Sequence, residues 1–110
     1  MDAKLSELTA TIRKFIEERD WDQFHNAKDM AISLNLEASE VLEHFQWKSK
    51  DKVNKEELGK ELSDVLYWIL VMSYNLDINL GEVFNEKMRE NAKKYPVSKA
   101  RGSSKKYTEL

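Results

Sequence analysis

Val65-Leu66-Tyr67-Trp68-Ile69-Leu70-Val71-Met72 is a run of eight apolar residues inside strongly helical sequence, and on a helix such a run is apolar on every side. A helix covered on one face only has no use for that pattern. Several neighbours must cover it, either the other helices of a bundle or a second copy of the chain. A single domain of 110 residues has a modest core for its surface. The run therefore points to helical protomers that assemble into a homo-oligomer. It is well short of the roughly 20 apolar residues that a membrane span requires.

Only three glycines and one proline interrupt the chain, and 35% of its residues are charged, which favours long helices and leaves little room for strands. The spacing predicts four helices. The first runs from about Ala3 to Glu18, with Leu5, Leu8, Ile12, Phe15 and Ile16 on one face. A polar, aromatic connection, Arg19 to His25, leads to Asn26, a predicted N-cap with Asp29 at the third helical position. The second helix carries Met30, Ala31, Leu34, Ala38, Val41, Leu42 and Phe45 on a wide stripe and is expected to end near Trp47. After a charged linker, Lys48 to Lys52, Asn54 and Glu57 form a capping-box pattern with Val53 and Leu58 as its staple, so helix three begins near Lys55. Asn79, Glu82, Ile78 and Val83 repeat this pattern, and helix four runs from about Leu80 to Tyr95, where Pro96 stops it. The expected fold is all-α, a four-helix bundle-type protomer over residues 1–96 followed by a basic C-terminal tail, 97–110, without helical periodicity.

A formal net charge of −2 provides no overall attraction to a nucleic acid polymer. With no cysteine there are no disulfides and no thiolate metal ligands, so any metal must be held by oxygen or histidine. The N-terminus lacks the basic-then-apolar pattern of a signal peptide, and a soluble cytoplasmic protein with no membrane contact is the expectation.

Four acids stand apart from the rest. Glu37 and Glu40, and then Glu61 and Asp64, are i,i+3 pairs, which put both members on one helical face with Cβ atoms about 5–6 Å apart. Spacing alone is weak, since Glu40/Glu43 and Glu17/Asp20 share it. Position discriminates. At about 100° per residue, Glu37 falls beside the direction of Met30, Leu34 and Val41, and Glu61 falls between Trp68 and Met72. Carboxylates that interrupt an apolar stripe are costly unless they are paired or hold a cation. Glu40 and Asp64 lie at the stripe edges, where they can complete a site with one wet side. The alternative is ion pairing with lysines such as Lys28 or Lys60. A di-iron carboxylate bundle needs Glu-x-x-His on two helices, which neither His25 nor His44 satisfies. Four oxygen donors suit a hard divalent cation such as Mg²⁺.

FIEERDWDQFH (15–25), LEASEVLEHFQWK (36–48), KELSDVL (60–66) and KYPVSKARGSSKKYTEL (94–110) together resemble the dCTP pyrophosphatase branch of the MazG-like all-α nucleoside triphosphate pyrophosphatases over nearly the whole chain. The resemblance implies hydrolysis between the α and β phosphates, Mg²⁺ as cofactor, and a homotetramer. It implies Glu37, Glu40, Glu61 and Asp64 as metal ligands and catalytic acids, and the segment Trp21, Asp22, Gln23, Phe24 and His25, with Trp47, as nucleotide contacts. Two departures bear on base and sugar preference: Ile12 stands where relatives can present a histidine, and Trp68 replaces a tyrosine one turn after the motif aspartate. Ala38-Ser39 replaces the usual Val-Gly between the first two acids.

A base needs a flat apolar wall, which Trp21, Phe24, Trp47 and Trp68 can supply; core packing is the competing role for Phe24 in particular. Lys94, Arg101 and Lys106 of the basic terminus can fold over a triphosphate, or the tail can simply be solvated. The expected activity is Mg²⁺-dependent conversion of dCTP, or a modified relative, to dCMP and pyrophosphate. The contrasting expectation is a non-catalytic helical oligomer whose acids bind metal.

Overall fold

The computed structural model describes residues 4–46 and 52–110; Trp47 and most of the charged linker after it lie outside the described residues. Helices α1 (Leu5–Glu18), α2 (Ala27–Glu43), α3 (Lys55–Asn75) and α4 (Leu80–Lys94) are followed by a one-turn α5 (Val97–Ala100), and there is no strand among the described residues. The all-α expectation holds, as do the predicted starts of α2, α3 and α4. The cause is local: Asn26, Asn54 and Asn79 each accept a hydrogen bond from the backbone N–H three residues on, at 2.9, 3.1 and 3.2 Å. α2 ends four residues earlier than Trp47, with His44 as its C-cap and i,i+3 turns through Gln46.

Two helix ends carry a signal that glycine scarcity hides. After α1, Asp20 adopts φ 54°, its N–H donates to the Glu17 carbonyl, and Trp21 N–H reaches back to the Ile16 carbonyl at 3.1 Å. After α3, Asp77 at φ 56° does the same toward Tyr74, with Ile78 N–H on the Ser73 carbonyl at 2.8 Å. Both are left-handed C-terminal caps built on aspartate, where glycine is the commoner choice. The first reverses the chain sharply enough to start the connection that contains Trp21, a 3₁₀ turn at Asp22–Phe24, and His25.

The chain divides into two compact units, Met1–Ile78 and Asn79–Leu110. In the first, α2 packs along α3 and α1 also packs on α3. Ile16, Met30 and Val71 are at most 3% exposed, with Ile12, Tyr67, Trp68, Met72 and Tyr74 packed around them. Of the apolar run on α3, only Leu70 and Val71 are buried; the other six are half-covered. Leu36 and Leu42 on α2 and Leu62 on α3 remain exposed.

In the second unit, Pro96 supplies a φ of −63° at the N-cap of α5, which lets a helical turn form where composition suggests none. A 3₁₀ turn at Tyr107–Glu109 follows. The Tyr107 ring meets Tyr95 edge-on at 5.9 Å and lies under the Lys94 ammonium at 5.0 Å, so the C-terminal segment folds back on the end of α4. The tail is thus more ordered than its sequence pattern predicts.

Candidate metal centre

α2 and α3, each started by an asparagine cap and packed along one another, bring the two acid pairs to their common seam. Glu37, Glu61 and Asp64 each offer a carboxylate oxygen within 4.8 Å of the other two. Glu40 lies outside that tight group but is close enough for its carboxyl to raise the pKa of both Glu37 and Glu61. Asp64 is exposed and the three glutamates are half-buried, so the cluster has one wet side.

Oε2 of Glu37 and Oε2 of Glu61 are buried without any hydrogen-bond partner. Such orphaned acceptors are unfavourable unless something else satisfies them. Burial, then the adjoining Glu40 carboxyl, then the charges of Glu40, Asp64 and Glu61 push Glu37 up to about 7. Glu61 is raised as well, by hydrogen bonding with Glu40 first, then by burial and by the charges of Glu40 and Asp64, with His44 opposing. The lysine alternative does not form: Lys60 pairs with Glu57 at 3.6 Å, and among the described residues no lysine or arginine lies within 4.0 Å of the four acids. An oxygen-only donor set with two partnerless oxygens fits a hard divalent cation such as Mg²⁺ or Mn²⁺.

Beside the acids opens a cavity of about 490 Å³, lined by Thr11, Ile12, Phe15, Trp21, Glu37, Asp64, Tyr67 and Trp68. Its aromatic wall is braced edge to face: Phe15 meets Trp21 at 5.6 Å and Tyr67 at 6.4 Å, and Tyr67 meets Trp68 at 5.1 Å. Arg19 lies over the Phe15 ring at 3.9 Å and donates to the Phe15 carbonyl. A second cavity, about 280 Å³, shares Trp21 and Trp68 and adds Phe24, His25, Asp29, Met30 and Ser33. Trp21 stays 42% exposed and Phe24 67%, so neither is consumed by the core.

The sequence-predicted contacts therefore fall into groups. Trp21 and Trp68 line both cavities, and Phe24 and His25 line the smaller one. Gln23 and Asp22 line neither: the Gln23 amide donates to the backbone and side chain of Asp20, and Asp22 faces His25 at 3.7 Å. Lys94 and Arg101 belong to the second unit, where Lys94 sits on Tyr107 and Arg101 is the C-cap of α5. Phe15 and Tyr67 are wall residues that the sequence reading assigned to apolar faces alone. Nothing local distinguishes them, because their role depends on how α1 meets α3.

A model of the MazG-like family matches residues 32–110. The dCTP pyrophosphatase 1 of Mus musculus is 36% identical over 105 residues, covering 88% of this chain and 62% of that protein, and the Homo sapiens protein of the same name is similar to the same extent. The chain thus spans less than two thirds of the length of these curated relatives. A crystal structure of a pyrophosphatase from Archaeoglobus fulgidus matches with a TM-score of 0.78 and 34% identity, covering 87% of this chain and 95% of that one.

Proposed function

The chain belongs to the MazG-like family, and from that premise we propose that it is a Mg²⁺-dependent nucleoside triphosphate pyrophosphohydrolase. Its substrate in this reading is dCTP or a modified dCTP, cleaved to the nucleoside monophosphate and pyrophosphate. The observation that carries the proposal is the convergence of Glu37, Glu61 and Asp64, with two buried oxygens left partnerless, beside an aromatic-walled cavity that Glu37 and Asp64 help to line. The names of the relatives supply the direction toward dCTP.

Glu37, Glu61 and Asp64, with Glu40 beside them, would hold the cation. When bound, Mg²⁺ supplies the positive charge that offsets a triphosphate against the carboxylates and acidifies the attacking water. Glu40 is the acid we assign to take the water's proton, because it sits beside the tight group without belonging to it. The 490 Å³ cavity falls in the usual range of about 300–1,000 Å³ for small-molecule sites. Trp21, Phe15 and Trp68 offer its flat walls to a base.

Self-association is part of the same reading, as a homotetramer of the family type. Leu36, Leu42 and Leu62 are at least half exposed on the two helices that carry the acids, and the apolar run of α3 is only half covered by its own chain. Apolar surface left open in this way marks a contact surface. Light scattering after size exclusion reads the assembly directly.

The decisive assay incubates the chain with each nucleoside triphosphate and Mg²⁺ and measures monophosphate, pyrophosphate and orthophosphate. Pyrophosphate release that is greatest with dCTP and stops with a chelator is the expected result. If no triphosphate yields Mg²⁺-dependent pyrophosphate, the enzymatic reading fails, and a metal-binding helical oligomer remains.

A further inference from the structure

The two oxygens of Glu61 have different surroundings. Oε2 is buried with no partner, whereas Oε1 faces His44 Nε2 at 3.8 Å. His44 is the C-cap of α2, one turn beyond Glu40, so it extends the acid-bearing face of α2 toward α3. Its side chain is only 20% exposed and that of Glu61 26%, so the contact is sheltered rather than solvated. Among the described residues, His44 is the one ion-pairing group within 4.0 Å of any of the four acids. It stands outside the group whose ligand atoms converge.

We propose that His44 is a positioning residue for the metal centre: its Nε2–H engages Oε1 of Glu61 and so keeps Oε2 turned into the acid cluster. This rests on the reading of the acids as a metal site. Glutamate has three rotatable side-chain bonds, and the charges of Glu40 and Asp64 both act to drive the Glu61 carboxylate away from the cluster. A donor on the outer oxygen opposes that movement without competing for the inner one. The place of His44 at the C-terminal end of α2 suits a donor, because the helix ends there in partial negative charge. The 3.8 Å separation is longer than a hydrogen bond; closing it to one takes about 0.7–1 Å, within reach of a small rotation of either side chain. Outer partners of this kind commonly change metal affinity by about 10- to 100-fold when removed.

The test compares the full chain with His44→Gln, His44→Asn and His44→Leu, using Mn²⁺ as the probe and electron paramagnetic resonance to count the free ion. All four proteins are compared at one pH and one ionic strength. The glutamine amide nitrogen can occupy the place of Nε2, whereas the shorter asparagine amide falls near Nδ1. Wild type and His44→Gln are expected to bind comparably, with His44→Asn and His44→Leu about 10- to 100-fold weaker. Thermal melts of all four in chelator identify any variant that has merely lost its fold, and the Gln/Asn contrast carries the comparison if His44→Leu is such a case. Equal or tighter binding by the folded His44→Asn or His44→Leu variant overturns the positioning role. Absence of saturable Mn²⁺ binding by the wild type overturns the metal reading itself, a separate outcome.

Discussion

Adding a divalent cation to the metal-free protein should expel protons, with Glu37 as the main source. Its carboxyl titrates near 7 in the metal-free chain, pushed up from an ordinary value of 4.5 by burial and by the neighbouring acids. A group with that pKa is about half protonated at pH 7, about nine-tenths at pH 6 and about one-tenth at pH 8. Ligation requires the ionised form, so binding should release about 0.5, 0.9 and 0.1 proton per site from Glu37 at those three pH values. Glu61, also raised, adds to the release. Calorimetric titration in two buffers of different ionisation enthalpy measures the number directly. The same logic sets the apparent affinity, which should fall by about tenfold per pH unit well below 7 and level off above about 8. Glu37→Gln should remove most of the proton release at pH 7. Release that is zero, or that does not change between about pH 6 and pH 8, would refute the assignment of Glu37 as a ligand held in mutual repulsion. Stability follows with a definite sign. Because the folded-state pKa is raised, the folded chain favours protonated Glu37, and this contribution is full below about 4.5 and lost as pH rises through about 7. The metal-free protein should therefore melt lower at pH 8 than at pH 5.5, by about 1 kcal/mol once solvent screening of a half-buried group is allowed for. Saturating Mg²⁺ should remove or reverse that trend.

Three further outcomes are expected. Glu37→Gln and Glu61→Gln should each abolish pyrophosphate release, while circular dichroism shows helix content retained and the melting temperature in chelator rises; normal turnover in either variant contradicts the proposed ligand set. Trp21→Ala should raise KM for the preferred triphosphate by about 5- to 150-fold, the equivalent of a lost base stack of about 1–3 kcal/mol, and an unchanged KM would show that Trp21 only braces Phe15. Asp77→Gly should stabilise the chain by about 0.5–1 kcal/mol against urea, because the left-handed cap at φ 56° costs an L side chain more than glycine; a loss of stability would mean that the aspartate side chain contributes more to the cap than its backbone strain costs.

The parts of this fold that were legible in sequence are the local ones. Asn26, Asn54 and Asn79 announced their helices because a cap needs only a side chain and an N–H three residues away, and each bond formed as expected. Asp20 and Asp77 were silent, since the usual mark of a left-handed helix end is glycine and neither position has one. The four acids stand out in sequence as a candidate site because they interrupt apolar stripes, but which three converge does not. That depends on the register of α2 against α3, set by packing across the seam rather than by the i,i+3 spacing within either helix. His44 was read only as failing a Glu-x-x-His pattern; its approach to Glu61 likewise exists only once the two helices meet. The half-covered apolar run of α3 was legible as needing neighbours, although one chain supplies only part of the cover.

The location of the acids on that seam has a physical logic. Carboxylates with orphaned buried oxygens repel one another, and a loosely packed pair of helices would relieve the strain by moving apart. Among the described residues α2 and α3 share the most extensive helix–helix packing, joined through a core in which Met30 and Val71 are nearly or fully buried. They can hold Glu37, Glu61 and Asp64 within 4.8 Å of one another despite the repulsion. A cation that binds only the folded arrangement returns stability in proportion to its saturation, about 2.7 kcal/mol at 100 times its dissociation constant. In the proposed reading, repulsion in the metal-free state and affinity for the cation have one structural origin. A substitution that loosens the α2–α3 core, such as Met30→Ala, should weaken metal binding without touching a ligand.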